Sequence, residues 1–208
     1  MEYKYHDIKN ESVDLEEIVN ISKIENEKFE KQCRNSKLFG KDIYFSSHQL
    51  EGYTEDFWHM SSLENKDEKF KNTSRRYYNV KPCNNTPYVN KCVNCINHTF
   101  SVRLKNKSRD KCVYRMSTIE MFKIVIDKAN NYGNEDNIKI WKVVDYTSRR
   151  TPETNLKIRF QQGMVDYLII LKETDKCYFF ITAFPVFEHR EKSILDQEYS
   201  AKSSEKIK

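Results

Sequence analysis

Apolar residues recur at helical spacing in two stretches of this chain. In residues 12–33 they alternate with acidic residues and lysines, which predicts an amphipathic helix. A second helix is predicted from Ser117 to Gly133, because Ser117 and Glu120 have the spacing of a capping box. We expect its apolar face to contain Ile119, Phe122, Val125, Ile126 and Ala129.

Four runs with strand-like patterns follow the second helix. They are residues 138–146, 155–160, 163–173 and 176–184. The sequence ETDK between the last two indicates a hairpin turn. Helices that precede an antiparallel meander are typical of the α+β class. We therefore expect N-terminal helices, then a loop-rich insert, and then a helix packed on a C-terminal antiparallel sheet of about four strands, with a further short strand at residues 39–47.

The length of 208 residues suits a single α+β domain, residues 1–208. Residues 72–112 hold most of the turn-forming Asn and Pro residues, so they form a Cys-rich insert, and residues 188–208 form a charged C-terminal tail. No apolar run approaches the roughly 18 residues that a membrane span needs. The N-terminus is polar and has no apolar signal-peptide core. We expect a soluble, cytoplasmic protein that does not contact a membrane.

Four cysteines lie in or beside this insert and have spacing typical of a metal site. Cys92 and Cys95 form the CxxC knuckle that places two thiolates on one tetrahedral zinc ion. Cys83 and Cys112 complete a set of four ligands, with His98 as a substitute. This pattern predicts a structural zinc that orders the insert. The alternative is that Cys83 and Cys112 are ordinary buried residues and that the CxxC binds nothing.

The charge distribution favours a polyanionic ligand. The net charge is only +5, but the first 30 residues are acidic and the positive excess falls later in the chain. Candidate nucleic-acid contacts are Arg103, Lys105, Arg149, Arg150 and Lys157. We also consider that the acidic N-terminal segment shields a basic cleft. A solvated, lysine-rich surface is the alternative explanation for the same residues.

Several enzyme classes are excluded by motif. The chain has no GxxxxGK[ST], GxGxxG, GxSxG or HExxH sequence, and its four glycines are too few for a phosphate cradle. Histidine, arginine and hydroxyl chemistry remains. The candidates are His48 and His59, both among aromatic residues, with Arg159 and Thr182 on predicted strands. Strict alternation would place Thr182 on one strand face with Phe180 and Phe184.

Two segments resemble the BECR superfamily of phage-encoded nucleases, which includes barnase, EndoU, colicin-type tRNases and RelE-like toxins. The segment KIRFQQGMVDYLIILKETDKCYFFITAFPVF resembles their C-terminal sheet and ends in TAFP where family members often have TAYP. FWHMSSLE resembles a motif whose histidine corresponds to His59. Phe184 lacks the hydroxyl of the usual tyrosine, and Ser61-Ser62 replace Thr-Gly.

The resemblance implies a toxin-like RNA endonuclease, encoded by a phage or mobile element, that needs no catalytic metal. His59 would act as general base or acid, with His48 in the second proton-transfer role. Arg159 would clamp the phosphate and Thr182 would donate a hydrogen bond to it. A toxin-like role also implies a protein inhibitor as a partner.

Two other function classes compete with the nuclease. One is a non-enzymatic, zinc-containing nucleic-acid-binding module in which the basic residues Arg103 to Lys111 carry the binding. The other is a protein that inhibits a host factor by binding it. Convergence of His59, Arg159 and Thr182 on one cleft would favour the enzyme, and their separation would favour binding.

Overall fold

A computed structural model describes residues 15–64, 100–131, 137–146, 151–163, 165–186 and 189–201. The helices of these residues are α1 Leu15–Lys28, α2 Glu55–Ser61, α3 Val113–Met116, α4 Glu120–Asn130 and α5 His189–Ala201. A π-helical turn, Phe29–Cys33, continues α1.

The described strands form three sheets. The strands are β1 Lys37–Leu38, β2 Lys41–Tyr44, β3 Gln49–Leu50, β4 Tyr53–Thr54, β5 Ser62–Glu64, β6 Ser101–Leu104, β7 Lys107–Lys111, β8 Ile138–Tyr146, β9 Pro152–Gln162, β10 Val165–Glu173 and β11 Tyr178–Pro185. The main sheet has the order β1-β2-β11-β10-β9-β8. All its pairs are antiparallel except β2 with β11. The α+β class is confirmed, and the sheet has six strands instead of about four.

The core lies between α4 and one face of the main sheet. Phe122, Val125 and Ile126 of α4 are buried in one cluster with Ile158 and Phe160 of β9. This confirms the predicted apolar face of the helix. Because the face recurs at a period of 3.6 residues, its burial follows directly from the sequence pattern.

The predicted capping box is wrong. The hydroxyl of Ser117 donates to the carbonyl of Tyr114 at 2.8 Å and that of Thr118 to Arg115 at 2.8 Å, so both serve the preceding helix α3. Helix α4 begins at Glu120 after Ile119, which itself has α-helical backbone angles. A local motif could not show that another helical turn already uses these hydroxyls.

Helix α2 packs against β11 of the main sheet. Phe57, Trp58 and Met60 of α2 are buried in the same cluster as the sheet core. Thr54 caps the helix by accepting a hydrogen bond from the amide of Phe57 at 3.4 Å. This packing fixes the orientation of the remaining side of α2, which carries His59.

Candidate functional site at the end of helix α2

Two arginines converge on Ser62, the residue that directly follows α2. Arg109 donates from Nε to the Ser62 hydroxyl and from Nη2 to the Ser62 carbonyl, each at 2.9 Å. Arg115 donates from Nη1 to the same carbonyl at 2.9 Å. Both guanidinium groups are buried, and they lie where the helix dipole favours positive charge. Glu64 is 3.7 Å from Arg109.

His59, on the last turn of α2, lies in the field of these cations. Burial, and then the charges of Arg109, Lys105 and Arg115, lower its pKa to about 4. The imidazole is therefore neutral at pH 7 and can accept a proton. Burial and Arg115 lower the pKa of Arg109 to about 10, which leaves this guanidinium charged at neutral pH.

Acidic residues lie on the first turn of the same helix. Burial raises the pKa of Asp56 to about 6, although the amide of Ser46 donates a hydrogen bond to its carboxylate. Glu55 lies 3.3 Å from Nδ1 of His48. Glu55 and His59 are four residues apart, so they lie on one side of α2. The structure thus brings His48, through Glu55, to the side of α2 that carries His59.

Two carboxylates hold the side chain of Arg159. Its side chain is completely buried on β9 and makes a bidentate pair with Asp166, with Nε–Oδ1 and Nη2–Oδ2 distances of 2.7 and 2.6 Å. Its Nη1 donates to Asp196 of α5 at 2.9 Å. The predicted orientation away from the apolar face is confirmed. The role of phosphate clamp stays a prediction for Arg159, whose guanidinium is held by these carboxylates in the structure.

The predicted environment of Thr182 is also wrong in part. The register between β10 and β11 shifts, since Ile170 pairs with Thr182 and Leu171 pairs with Phe180. Ile181 is the extra residue of this bulge, and it reverses the alternation of side chains. Phe180 therefore joins the main core, whereas Phe184 joins a smaller cluster on the opposite face. Thr182 shares its face with Phe184 but not with Phe180.

The predicted nucleic-acid residues fall into three groups. Arg103 and Lys105 are exposed on the β6–β7 hairpin. Lys157 is partly buried, and its Nζ donates to both carboxylate oxygens of Glu198 at 2.8 Å. Arg149 and Arg150 lie outside the described residues. Of the acidic N-terminal segment, Glu25 of α1 pairs with Lys28, and Glu30 of the π-helical turn pairs with Arg34. Shielding of a basic cleft stays a prediction.

Most of the predicted zinc ligands also lie outside the described residues, namely Cys83, Cys92 and Cys95, together with His98. Cys112 is described, and it is a buried cysteine whose amide donates to the Ser61 carbonyl at 2.9 Å. Within the described ranges, no group of three or more His, Cys, Asp or Glu residues is arranged to hold a metal ion. The zinc site stays a prediction.

Sequence reasoning missed Arg115 and Glu55 as members of this site. Arg115 and Ser62 are far apart in the chain, and no motif connects them. The four-residue spacing of Glu55 and His59 on one helix was the feature of the sequence that could have identified Glu55.

Comparisons of the chain with protein-family models, curated protein sequences and solved structures find no match. The resemblance to BECR nucleases therefore remains a prediction from short motifs. Among the described helices, none is long and apolar enough to cross a membrane. What the fold and site define is an α+β protein in which two buried arginines meet at Ser62, after the helix that carries His59.

Proposed function

We propose that this protein is an RNA endonuclease that cleaves without a catalytic metal through His59. The observation that carries the proposal is the convergence of Arg109 and Arg115 on the Ser62 carbonyl, directly after the last turn of α2, where their charges keep the pKa of His59 low. A proton acceptor beside fixed cations is what attack by a ribose 2′-hydroxyl on a phosphate requires. Arg109 and Arg115 take the role of phosphate clamp that was predicted for Arg159.

The proposed steps are a transesterification. His59 takes the proton of the 2′-hydroxyl, and the 2′-oxygen forms a bond to the adjacent phosphorus. Arg109 and Arg115 stabilise the charge that develops on the phosphoryl oxygens. The bond from phosphorus to the 5′-oxygen then breaks, and His48, oriented by Glu55, supplies the proton to this leaving group. The products are a 2′,3′-cyclic phosphate and a 5′-hydroxyl.

The field at His59 couples its basicity to substrate binding. The charges of Arg109, Lys105 and Arg115 act with burial to keep the pKa of His59 low. A bound phosphate offsets those charges, so the pKa of His59 rises toward its ordinary value when RNA is present. A base with a pKa nearer to neutral transfers protons more effectively at neutral pH.

The second candidate is RNA binding without cleavage. It is favoured by the β6–β7 hairpin, on which Arg103, Lys105 and Lys107 are all exposed. Exposed cations on one hairpin give salt-dependent binding to phosphates and supply no proton transfer. A protein inhibitor, as implied by a toxin-like role, remains a prediction.

Incubation of the purified protein with total RNA in excess EDTA tests the proposal. We expect fragments with cyclic phosphate ends, and we expect His59→Ala to abolish cleavage while RNA affinity is retained. His6→Ala is the matched control, because His6 lies in the polar N-terminal segment and should leave cleavage unchanged. Binding without fragments, or equal cleavage by His59→Ala, would favour the second candidate or another catalytic residue.

A further inference from the structure

The main sheet has an outer face, opposite the α4 core, that is rich in cations and aromatic rings. On β8 and β9 the cross-strand pairs Lys139–Arg159 and Trp141–Lys157 lie on this face. The face continues across β10 through Leu168, which pairs with Arg159 on one side and Phe184 on the other.

Helix α5 places two carboxylates on these cations. Asp196 lies 2.9 Å from Nη1 of Arg159 and 3.6 Å from Nζ of Lys139. Glu198 accepts hydrogen bonds from Lys157 at 2.8 Å and from the indole of Trp141 at 3.1 Å. The acidic side of α5 therefore occupies positions that are suited to anionic oxygens.

The charges of this contact balance. Lys139, Lys157 and Arg159 contribute three positive charges to the outer face, and Asp166 neutralises one of them through its bidentate pair with Arg159. The remaining charge of +2 is matched by Asp196 and Glu198 of α5. Without α5, the part of the outer face that the helix covers would carry a net positive charge around the indole ring of Trp141.

Helix α5 is held by these polar contacts and by Leu195 and Tyr199, whose ring lies edge-on to that of Trp141 with centroids 5.4 Å apart. Leu195 is the buried residue of the helix, and it packs on Trp141, Leu168 and Phe184. The neighbouring Ile194 is exposed. Ion pairs that are partly open to solvent contribute little to stability and are screened by salt. A competing polyanion could therefore displace the helix without unfolding the sheet.

The uncovered part of the outer face presents two adjacent aromatic rings. Tyr44 of β2 and Phe179 of β11 are paired across the strands and are 53% and 45% exposed. Their ring centroids are 5.8 Å apart with an interplanar angle of 33°. Proteins bind single-stranded nucleic acids with surfaces that combine cations and exposed aromatic rings, on which the bases stack.

We propose that the outer face binds single-stranded RNA and that α5 masks its cationic half. Bases stack on Tyr44 and Phe179, and phosphates replace Asp196 and Glu198 on the cations. Thr182, predicted to contact the phosphate, lies on this same face. Arg115, 4.8 Å from the ring of Phe184, connects the outer face to the end of α2. The inference rests on the proposed function only for its choice of RNA as ligand.

The test uses full-length protein and a fluorescent 2′-O-methyl oligouridylate, which lacks the attacking hydroxyl and cannot be cleaved. Anisotropy titrations at several salt concentrations compare the wild type with the double variant Asp196→Asn, Glu198→Gln. We expect about tenfold tighter binding, and a salt slope steeper by about 1.4 for two additional phosphate contacts. Adding Lys157→Gln to the double variant should remove most of this gain.

The matched control is Glu16→Gln, Glu27→Gln, which changes the net charge equally on α1, away from the outer face. An equal gain in control and test variants would overturn the masking role. Phe179→Ala removes an exposed ring, so it should fold normally and bind about tenfold more weakly. Unchanged affinity would overturn the stacking role. Because no cleavage is measured, failure of the proposed chemistry at His59 leaves these outcomes unaffected.

Discussion

Two residues of α2, Asp56 and His59, have pKa values displaced in opposite directions. Burial is the main cause for both: it raises the pKa of Asp56 from 3.8 to about 6 and lowers that of His59 from 6.5 to about 4. Displacements of this size correspond to about 3 kcal/mol of folding free energy each. The value for His59 is reduced to about 2 kcal/mol, because its ring is partly exposed.

The two residues affect stability with opposite signs over nearly the same pH range. Between pH 3.8 and about 6, folded Asp56 retains a proton that the unfolded chain has released, so its contribution to stability falls as the pH rises. Between pH 6.5 and about 4, unfolded His59 binds a proton that the folded ring does not, so its contribution falls as the pH decreases. In the wild type the pH dependences of these two contributions largely cancel.

Single substitutions should reveal the pH dependence of stability that each residue contributes. Relative to wild type, Asp56→Asn should gain less than about 1 kcal/mol at pH 4 and about 3 kcal/mol at pH 7, because it removes the cost of a buried carboxylate. His59→Gln should show little difference at pH 7 and should be about 2 kcal/mol more stable than wild type at pH 4.

Urea unfolding at a series of pH values between 4 and 7 measures these differences. The relevant quantity is the free energy of unfolding of the variant minus that of the wild type at each pH. Glu27→Gln, an exposed carboxylate on α1, controls for the loss of an ordinary titrating group. If the difference for Asp56→Asn did not change with pH, the argument that burial displaces its pKa would be refuted.

Two further predictions concern the Arg159 ion pair and the β6–β7 turn. Arg159→Gln should lower the free energy of unfolding in urea by about 3–5 kcal/mol, because it leaves Asp166 buried without its cation. Asp196→Asn, at a partly exposed pair, should lower it by less than about 1 kcal/mol. Similar losses for the two variants would contradict this account. Lys105 has a positive φ of 45°. Because asparagine tolerates this conformation, Lys105→Asn should preserve or raise the melting temperature, while RNA binding weakens and its salt slope falls. A lower melting temperature would refute the argument from the turn conformation.

Much of the fold could be predicted because its signals are local. The apolar run at residues 138–146 coincides with β8, and the face of α4 follows its 3.6-residue period. Strand β2 lies within the short strand predicted at residues 39–47, but its pairing with β11, which is distant in sequence, was not predictable. On α1, the apolar Val19 is exposed, and Ser22 is buried, where its hydroxyl donates to the Ile18 carbonyl.

The site was only partly predictable, because its residues meet through contacts between segments that are distant in sequence. His59 was identified from a motif, and its position among cations comes from the tertiary structure. Arg109 and Arg115 meet at Ser62 only because β5 pairs with β7 and α3 follows β7 directly. The pattern of residues in the sequence does not specify the spatial distance between these segments.

The sequence by itself determined which side of each regular strand a residue occupies, because alternation along a strand is a property of the backbone. It thus placed Arg159 away from the apolar core. Only the tertiary structure decided that α5 covers this second face and that Asp166 and Asp196 hold the guanidinium. It also decided the bulge at Ile181, which separates Thr182 from Phe180. Exposure and ion pairing depend on segments that are distant in sequence, so no local pattern could specify them.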